Sequence, residues 1–296
     1  MKVALLGFGL IGGSIAYALR RNPADWQIAA WSPSGSGPAI ARAEELIDEA
    51  ADSPGRAVRG ADLVVIAAPP LAALELIDQL AGPLIVELAP DALVTDVVST
   101  KQAIVARAEA AKLRFVGGHP MAGREVGGFD AARADLFSGR AWVVVPASTA
   151  RYGDRERVEM LAEACGGVPV GMAAADHDTA VAAISHLPLV VAAALVESVA
   201  GGRDGAERAD WPTAAGLAAT GWEGMTRLAR GNVAMGTGIA ATNAPAIAAR
   251  LRDLRSVLDA WLTYLERPSG PDAAQIEARL RAARDVLVDS DAAPVE

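Results

Sequence analysis

The stretch KVALLGFGLIGGS near the N-terminus constrains the fold of this chain more than any other segment. A short apolar run, typical of a buried strand, ends in a glycine, and Gly7, Gly9 and Gly12 follow the spacing G-x-G-x-x-G. Apolar residues then recur at helical spacing. Such glycines permit a tight turn and let the start of a helix approach a pyrophosphate. The motif, with Leu10 and Ile11 between its last two glycines, predicts dinucleotide binding; a purely structural turn is the alternative.

Further apolar runs alternate along the chain between strand-like and helix-like patterns. Strands are predicted at 27–32, 61–70 and 92–99, in RFVGGHP and in AWVVVPA, and helices at 39–50, 71–80 and 100–111. Such alternation builds a parallel sheet that is covered by helices on both faces. The predicted fold class is therefore α/β, with a doubly wound, mostly parallel sheet of the Rossmann type.

After about residue 150 the pattern becomes helical. Strand signals almost vanish apart from GGVPVGM, and helical patterns rich in Ala, Leu and Val continue to about residue 265, before a short C-terminal tail. This shift predicts a dinucleotide-binding domain at 1–150 and an all-helical domain at 151–296. A helix at about 175–200 is nearly all apolar and must be buried on most sides, either inside the helical domain or between subunits. We therefore expect a homodimer that is formed by the helical domain.

Charge and hydropathy exclude several classes of function. The net charge of -9 and the scattered Lys and Arg residues argue against nucleic-acid binding. The apolar run LPLVVAAALV is about half the length that a membrane-spanning helix needs, and the N-terminus leads directly into the glycine motif. Cys165 is the only cysteine, which fits a reducing compartment. We expect a soluble cytoplasmic protein without a membrane partner, and no metal site.

The residue at the end of the second strand bears on the choice of cofactor. A carboxylate that holds the ribose 2'-hydroxyl of NAD is expected about 20 residues after the third glycine. Ser32 occupies this place, and the segment SPSGSG that it begins contains no carboxylate to repel a 2'-phosphate. The sequence therefore favours NADP over NAD, although no arginine directly follows Ser32. A loop that is indifferent to the 2' position is the alternative.

Two residues in the middle of the chain are candidates for catalysis. Ser99 lies at the C-terminal end of a predicted strand, where ligands bind in open α/β sheets, and at the expected N-cap of the next helix. His119 lies in GGHPMAGREVGG (117–128), among glycines and a proline. A solvated loop histidine is the simpler explanation of this stretch. The functional alternative is that the His119 imidazole lies in a cleft and acts as a base.

The helical half contributes further candidates. His177 and His186 are nine residues apart, so in one continuous α-helix they would project from opposite faces and could not serve one site. His177, between two aspartates, is predicted to be exposed, and His186 to be either a core histidine or a cleft residue. Arg227 and Arg230 lie in GMTRLARGN, where a solvated helix face and a carboxylate-binding fork are both open.

Taken together, these motifs resemble the prephenate/arogenate dehydrogenase family of tyrosine biosynthesis. The resemblance extends to about residue 265, through GFGLIGGS, TDVVSTK, GGHPMAGREVGGFDAARADLFSG, ISHLP and GMTRLARGN. It implies oxidative decarboxylation: C4 of a cyclohexadiene loses a hydride to NAD(P), the ring carboxyl leaves as CO2, and the ring becomes aromatic. The products would be 4-hydroxyphenylpyruvate from prephenate or tyrosine from arogenate.

The resemblance also implies roles for individual residues. His119 matches the histidine that accepts the proton of the C4 hydroxyl, and Ser99 matches a serine that orients both. Arg227 matches an arginine that binds a substrate carboxylate. Glu125 and His186 match residues of the substrate pocket.

Two positions depart from the family pattern, and two rival functions stand beside it. Gly224 and Gly236 replace an acidic residue and a tryptophan of many members. The second glycine, with Ser32, is more similar to the arogenate-type, NADP-using branch; the substrate itself is left open. A β-hydroxyacid dehydrogenase or imine reductase usually needs a catalytic lysine early in the helical half, and residues 151–296 contain none. A protein that senses NADP without turnover would not need Ser99, His119 and Arg227 together.

Overall fold

The structure is a computed structural model that describes residues 1–124, 126–202 and 208–292, with side chains described to residue 288. Glu125, a predicted pocket residue, lies outside the described residues. The chain divides into two compact units, Met1–Ile247 and Ala248–Glu296. The first unit contains the sheet and every site residue discussed below.

A single eight-stranded sheet forms the centre of the first unit. Its strands are β1 (Lys2–Leu6), β2 (Gln27–Trp31), β3 (Glu49–Ala50), β4 (Leu63–Ile66), β5 (Leu93–Asp96), β6 (Phe115–Pro120), β7 (Ala141–Pro146) and β8 (Val168–Gly171). They lie in the order β3-β2-β1-β4-β5-β6-β7-β8, and all neighbours are parallel except β6 and β7. The predicted doubly wound, mostly parallel sheet is confirmed.

Helices between the strands cover both faces of this sheet, and further helices follow it along the chain. They are α1 (Leu10–Arg21), α2 (Ser36–Ala43), α3 (Pro54–Val58), α4 (Pro70–Ala81), α5 (Gln102–Ala110), α6 (Asp154–Ala164), α7 (Ala174–Val181), α8 (Leu187–Ala200), α9 (Trp211–Ala215), α10 (Thr220–Thr226), α11 (Val233–Thr242), α12 (Ala244–Leu265) and α13 (Ala273–Ala292). Side chains alternate along each strand, so Val3 and Leu5 of β1 pack into one core while Ala4 and Leu6 pack into the other. Two buried faces explain why the strands are apolar without alternation.

The helix predicted at 39–50 ends early. Its C-cap is Glu44, and Glu45 has a φ of 59°, a left-handed conformation that no α-helix continues. The turn directs Ile47 into the core, and the N–H of Asp48 bonds the carbonyl of Ile28. The segment therefore joins the edge of the sheet as β3, because core burial outweighs local helix propensity.

The sheet also extends past residue 150, where the composition predicts the boundary between domains. Strand β8 is the GGVPVGM signal that stands out in the helical half, and it pairs in parallel with β7. The domain boundary at residue 150 stays a prediction.

The apolar helix predicted at 175–200 is present over Ala174–Ala200, but it is more exposed than expected. One π turn, Ala182–His186, joins α7 to α8, and in α8 only Ala192 is buried. Among the described residues, Ala174–Ala200 is the helical segment long and apolar enough to cross a membrane, with 22% of its most apolar window buried. The predicted burial is therefore not reached within one chain.

The loop between β5 and α5 holds a buried cluster of charges. Lys101 pairs with Asp96, and both side chains are fully buried. The N-cap of α5 is Lys101 and not Ser99, so the predicted capping role of Ser99 is wrong. The carboxylate of Asp178 on α7 caps this helix instead, because it accepts the backbone N–H groups of Lys101 at 2.7 Å and of Gln102 at 2.9 Å.

We expect Lys101→Met to lower the free energy of unfolding by about 3–5 kcal/mol, because it leaves the Asp96 carboxylate buried without its cation. The double variant Asp96→Asn/Lys101→Met should recover part of this loss, since no unpaired charge remains. Lys112→Met, at an exposed lysine, is the matched control and should stay within about 0.5 kcal/mol of wild type. Urea unfolding measures all three, and a Lys101→Met variant as stable as the control would contradict the argument.

Candidate active site

A cavity of about 970 Å³ opens at the carboxyl ends of the strands, where the order of the sheet reverses between β1 and β4. The predicted site residues on its wall are Gly7, Gly9, Leu10, Ile11, Ser32, Ser99, His119 and Arg227. Gly12, His186 and Arg230 are predicted site residues that do not form the wall. One cavity thus brings together the glycine motif and the candidates for catalysis.

The three motif glycines serve two different purposes. Gly7 has a φ of 103°, and a Cβ there would lie 2.2 Å from the carbonyl oxygen of Ala67. A Cβ on Gly12 would lie 2.2 Å from the carbonyl oxygen of Gly7. A Cβ on Gly9 would meet no atom within 4 Å. Gly7 and Gly12 are therefore required by close packing of the fold, whereas the space beside Gly9 is open to a ligand.

The start of α1 is suited to an anion. The helix begins at Leu10 with Gly9 as its N-cap, without a side-chain cap and without an acidic residue in its first turn. Leu10 and Ile11 lie on the cavity wall, so the first-turn backbone adjoins the cavity. Free N–H groups and the positive end of the helix dipole attract phosphate groups. The site therefore fits the pyrophosphate of NAD(P).

The loop after β2 lies on the same wall. β2 ends at Trp31, so Ser32 is the first residue after the strand, as predicted, and Ser34 and Ser36 also line the cavity. The hydroxyl oxygens of Ser34 and Ser36 are 3.0 Å apart. Gly35, with a φ of 68°, is the N-cap of α2. This loop presents hydroxyl groups and no carboxylate to the place where the second strand ends.

An aromatic stack supports the glycine motif, and the sequence analysis did not identify it. Phe129 stacks on Phe8, with ring centroids 5.2 Å apart, and on Tyr17 at 5.9 Å. A Cβ on Gly13 would lie 2.7 Å from the Phe129 ring. The segment that follows His119 therefore returns to pack on the motif. The pair of glycines before Phe129 is the only signal of this contact in the sequence.

His119 is placed by β6, close to the end of β5. The preceding Gly118 donates its N–H to Asp96 Oδ1 at 3.1 Å, and a Cβ there would lie 2.5 Å from the Asp96 carbonyl oxygen. The same Cβ would lie 3.1 Å from the indole nitrogen of Trp142. Close packing therefore requires a glycine before the histidine. The His119 ring itself is partly exposed and lies on the cavity wall.

His177 is buried, and the prediction that it is exposed is wrong. It is 1% exposed, and its Nε2 lies 2.8 Å from Nδ1 of His119. Its own Nδ1 lies 2.8 Å from Oδ1 of Asp178. The two flanking aspartates suggested a solvated helix start, but only Asp176 is exposed, whereas Asp178 is buried as the cap of α5.

His177 and His186 do not lie on opposite faces, which is a second correction. The π turn between them has wider turns than an α-helix and changes the direction of the side chains that follow. His186 is 1% exposed, and the Asn243 amide contacts both its Nδ1, at 3.1 Å, and the carbonyl oxygen of Asp178, at 2.8 Å. Both histidines therefore belong to one buried polar group behind the cavity.

The environment keeps His119 and His186 neutral. Burial, and then the neighbouring His177 ring, lower the pKa of His119 well below its ordinary value. Burial lowers the pKa of His186 to about 4. Desolvation disfavours the charged form of a base, which explains both directions. At neutral pH His119 is therefore an uncharged imidazole that can accept a proton.

The two candidate arginines lie in one 3-10 turn, Arg227–Arg230, between α10 and α11. Both are exposed, but only Arg227 lies on the cavity wall, together with Gly236 of α11. The structure thus distinguishes two arginines between which the sequence could not choose. The described residues on the cavity wall thus include two arginines, Arg227 and Arg124.

The sequence matches two family descriptions, the nucleotide-binding domain of prephenate dehydrogenase over residues 15–170 and its dimerization domain over residues 173–277. Prephenate dehydrogenase of Bacillus subtilis (strain 168) is 32% identical over 289 residues, 96% of this chain and 74% of that protein. The solved arogenate dehydrogenase of Synechocystis is 32% identical, with a TM-score of 0.75 over 97% of this chain and 100% of that one. Prephenate dehydrogenase from A. aeolicus, solved with hydroxyphenyl propionate and NAD+, is 24% identical and shares the fold, with a TM-score of 0.82 over 97% and 98% of the chains.

We expect Gly9→Ala to weaken cofactor binding and Gly12→Ala to lower the stability of the fold. The first leaves the fold intact but obstructs the pyrophosphate, so the Kd for NAD(P)H should rise about tenfold or more, equal to about 1.4 kcal/mol. The second forces a Cβ against Gly7 and should lower the free energy of unfolding by about 1–3 kcal/mol. Fluorescence titration and urea unfolding measure the two effects. Unchanged cofactor affinity in Gly9→Ala would mean that the phosphates do not pass this glycine.

Proposed function

The chain belongs to the prephenate dehydrogenase family, and we propose that His119, Ser99 and Arg227 perform its reaction in the cavity described above. The protein is an NAD(P)-dependent oxidoreductase that converts prephenate or arogenate by oxidative decarboxylation. The observation that carries the residue assignment is that one cavity wall combines the glycine motif, a neutral imidazole and an arginine.

His119 is the proposed general base. Its Nδ1 is engaged by His177, so Nε2 is the ring nitrogen left for the hydroxyl on C4 of the substrate. The bound nicotinamide would accept the hydride from C4. His119 would take the hydroxyl proton as the carbinol becomes a carbonyl. When CO2 leaves and the ring becomes aromatic, that oxygen becomes a phenol oxygen and can recover the proton, so the base is regenerated.

Ser99 and Arg227 would place the substrate. Ser99 lies on the wall after β5, and its hydroxyl makes it suited to bond the C4 hydroxyl beside His119. Arg227 would bind a carboxylate, because a guanidinium matches the two carboxylate oxygens with two parallel hydrogen bonds. A protein of net charge -9 needs such a local cation to hold an anionic substrate. His186, behind the wall, would support the pocket without forming its surface.

We also propose that the protein prefers NADP to NAD. The wall after β2 carries Ser32, Ser34 and Ser36 and has no carboxylate at the place where one would accept the ribose hydroxyls of NAD. Neutral hydroxyls tolerate a 2'-phosphate. Glycine at position 236, where many relatives carry tryptophan, leaves the wall near α11 open and supports the arogenate-type branch.

A homodimer would cover the apolar surface of α8. Only Ala192 of this helix is buried within one chain, and the matching family description for this part is a dimerization domain. We assign the exposed apolar face of Ala174–Ala200 to a subunit interface and not to a membrane, because α7 at its start is fixed to α5 by Asp178. A cytoplasmic location fits this assignment, and nothing in the charge pattern suits a nucleic acid.

The assignment is tested by mixing the protein with prephenate or arogenate and with NAD or NADP, and following absorbance of the reduced cofactor. One substrate should be oxidised, and His119→Asn should lower kcat by about 10²–10⁴-fold while cofactor affinity is kept, because an amide cannot accept the proton. A variant within threefold of the wild-type kcat would exclude His119 as the base. A protein that binds NADP but oxidises neither substrate would favour the sensing role.

Ser32→Asp should shift the cofactor preference towards NAD. A carboxylate at this place would accept the ribose hydroxyls of NAD and repel the 2'-phosphate of NADP. Because a hydrogen bond to a charged group contributes about 1.5–3 kcal/mol, the ratio of kcat/KM for NADP over NAD should fall about tenfold or more. Ser32→Asn is the control, because asparagine has the size of aspartate without its charge. It should keep the wild-type ratio of kcat/KM for NADP over NAD. An unchanged ratio in Ser32→Asp would show that Ser32 does not face the ribose.

A further inference from the structure

A buried row of three side chains begins at His119 and leads away from the cavity. His119 Nδ1 lies 2.8 Å from His177 Nε2, with the two rings 76° apart, and His177 Nδ1 lies 2.8 Å from Asp178 Oδ1. His177 and Asp178 have 1% and 0% of their surface exposed. Neither lines the cavity, and the mechanism above gives neither a task.

Asp178 is held as a carboxylate that only accepts hydrogen bonds. Its two oxygens accept the backbone N–H groups of Lys101 and Gln102, and Oδ1 also faces Nδ1 of His177. Burial by itself would raise the pKa of Asp178, but these hydrogen bonds bring the pKa below its ordinary value. An oxygen without a proton requires a donor opposite, so Nδ1 of His177 carries a hydrogen.

The hydrogen on Nδ1 of His177 also determines which nitrogen of His119 carries a hydrogen. With its hydrogen on Nδ1, a neutral His177 has a lone pair on Nε2, which can only accept a hydrogen bond. His119 must then donate from Nδ1, which leaves the lone pair of His119 on Nε2. We propose that His177 and Asp178 are positioning residues that hold His119 in the tautomer whose Nε2 is free to take a proton. This proposal rests on the proposed role of His119 as the base.

The opposite arrangement has an electrostatic cost. If His177 carried two protons, it would donate to Nδ1 of His119 and place a hydrogen on the nitrogen that has to accept the substrate proton. The charged or titratable groups facing this pair are Asp96 on β5, Lys101 before α5, Asp178 on α7 and His186 in the π turn. Asp96 already pairs with Lys101, and Asp178 already bonds two backbone N–H groups. A second buried cation beside the Lys101 ammonium would have to share the Asp178 carboxylate with those two N–H groups.

The support beneath His177 is rigid. Asp178 is fixed by the first N–H groups of α5, and its carbonyl oxygen accepts the Asn243 amide at 2.8 Å. His177 cannot turn away without leaving the Asp178 carboxylate one donor short. A base that is oriented by a second group, which is itself oriented by a third, is a common arrangement for catalytic proton transfer. Here the orienting groups come from α7, whereas the base comes from β6.

The tautomer can be read directly by ¹⁵N NMR of the imidazole rings, because the chain has only three histidines. His119→Asn and His186→Asn assign the signals. In the wild-type protein at neutral pH, we expect the Nδ1 shift of His119 in the range of protonated ring nitrogens and the Nε2 shift in the range of unprotonated ones. A hydrogen on Nε2, or two averaged shifts, would overturn the proposal whether or not the protein turns over substrate.

Kinetics of two His177 variants separate positioning from packing. His177→Gln keeps an acceptor oxygen near Nδ1 of His119, and we expect kcat within about fivefold of wild type. His177→Phe keeps a ring of similar volume but no acceptor, and kcat should fall about 10- to 100-fold with KM little changed, as when a buried donor loses its partner. If the ring served only for packing, the Phe variant would be the more active one, and that order would overturn the proposal.

Asp176→Asn is the matched control for these variants, because Asp176 is the exposed aspartate on the other side of His177. It should leave the ¹⁵N shifts and kcat unchanged. Failure of His119→Asn to reduce kcat would reject the proposed base, whereas the wild-type ¹⁵N shifts decide the tautomer independently. If His177→Phe does not fold, the Gln variant and the NMR measurement still decide the proposal.

Discussion

The buried carboxylate of Asp178 is the contact on which most of the site depends. It caps the N-terminus of α5, links α7 to that helix, and faces the histidine that contacts His119. A buried charge is tolerated only when several donors compensate its lost hydration, and here each donor comes from a part of the chain that has to be in place. The proposed catalytic geometry and the packing of α7 against α5 therefore share one set of hydrogen bonds.

Close backbone packing determines where a ligand can approach. Gly7, Gly12 and Gly118 are glycines because another backbone lies where their Cβ would be, whereas Gly9 is a glycine with open space beside it. Phe129, which packs on the motif, ties the segment after His119 to the turn that would hold the cofactor. The turn that would hold the cofactor and the proposed base thus lie in one compact part of the first unit. This arrangement suits a reaction in which one substrate loses both a hydride and a proton.

Much of the fold and part of the site were predictable from periodicity and motifs. The strand–turn–helix at Gly7, the sheet strands and the positions of Ser32 and His119 at strand ends follow from patterns that are local in sequence. The early end of α2 was missed, because burial of Ile47 overrides a helical pattern. The predicted capping role of Ser99 was wrong, because the acceptor that caps α5 comes from Asp178, a residue far along the chain.

The sequence by itself determined that this chain binds a dinucleotide on a doubly wound sheet, because the spacing of a short glycine motif between a strand and a helix fixes its geometry. Its further motifs showed the resemblance to prephenate and arogenate dehydrogenases. Only the tertiary structure showed where His177 lies and which groups it contacts. Between two aspartates it has the pattern of a solvated helix start, and its burial follows from hydrogen bonds to α5 and β6, which no local pattern records. Long-range contacts of this kind depend on how α7 packs on the sheet, and packing is decided only when the whole chain folds.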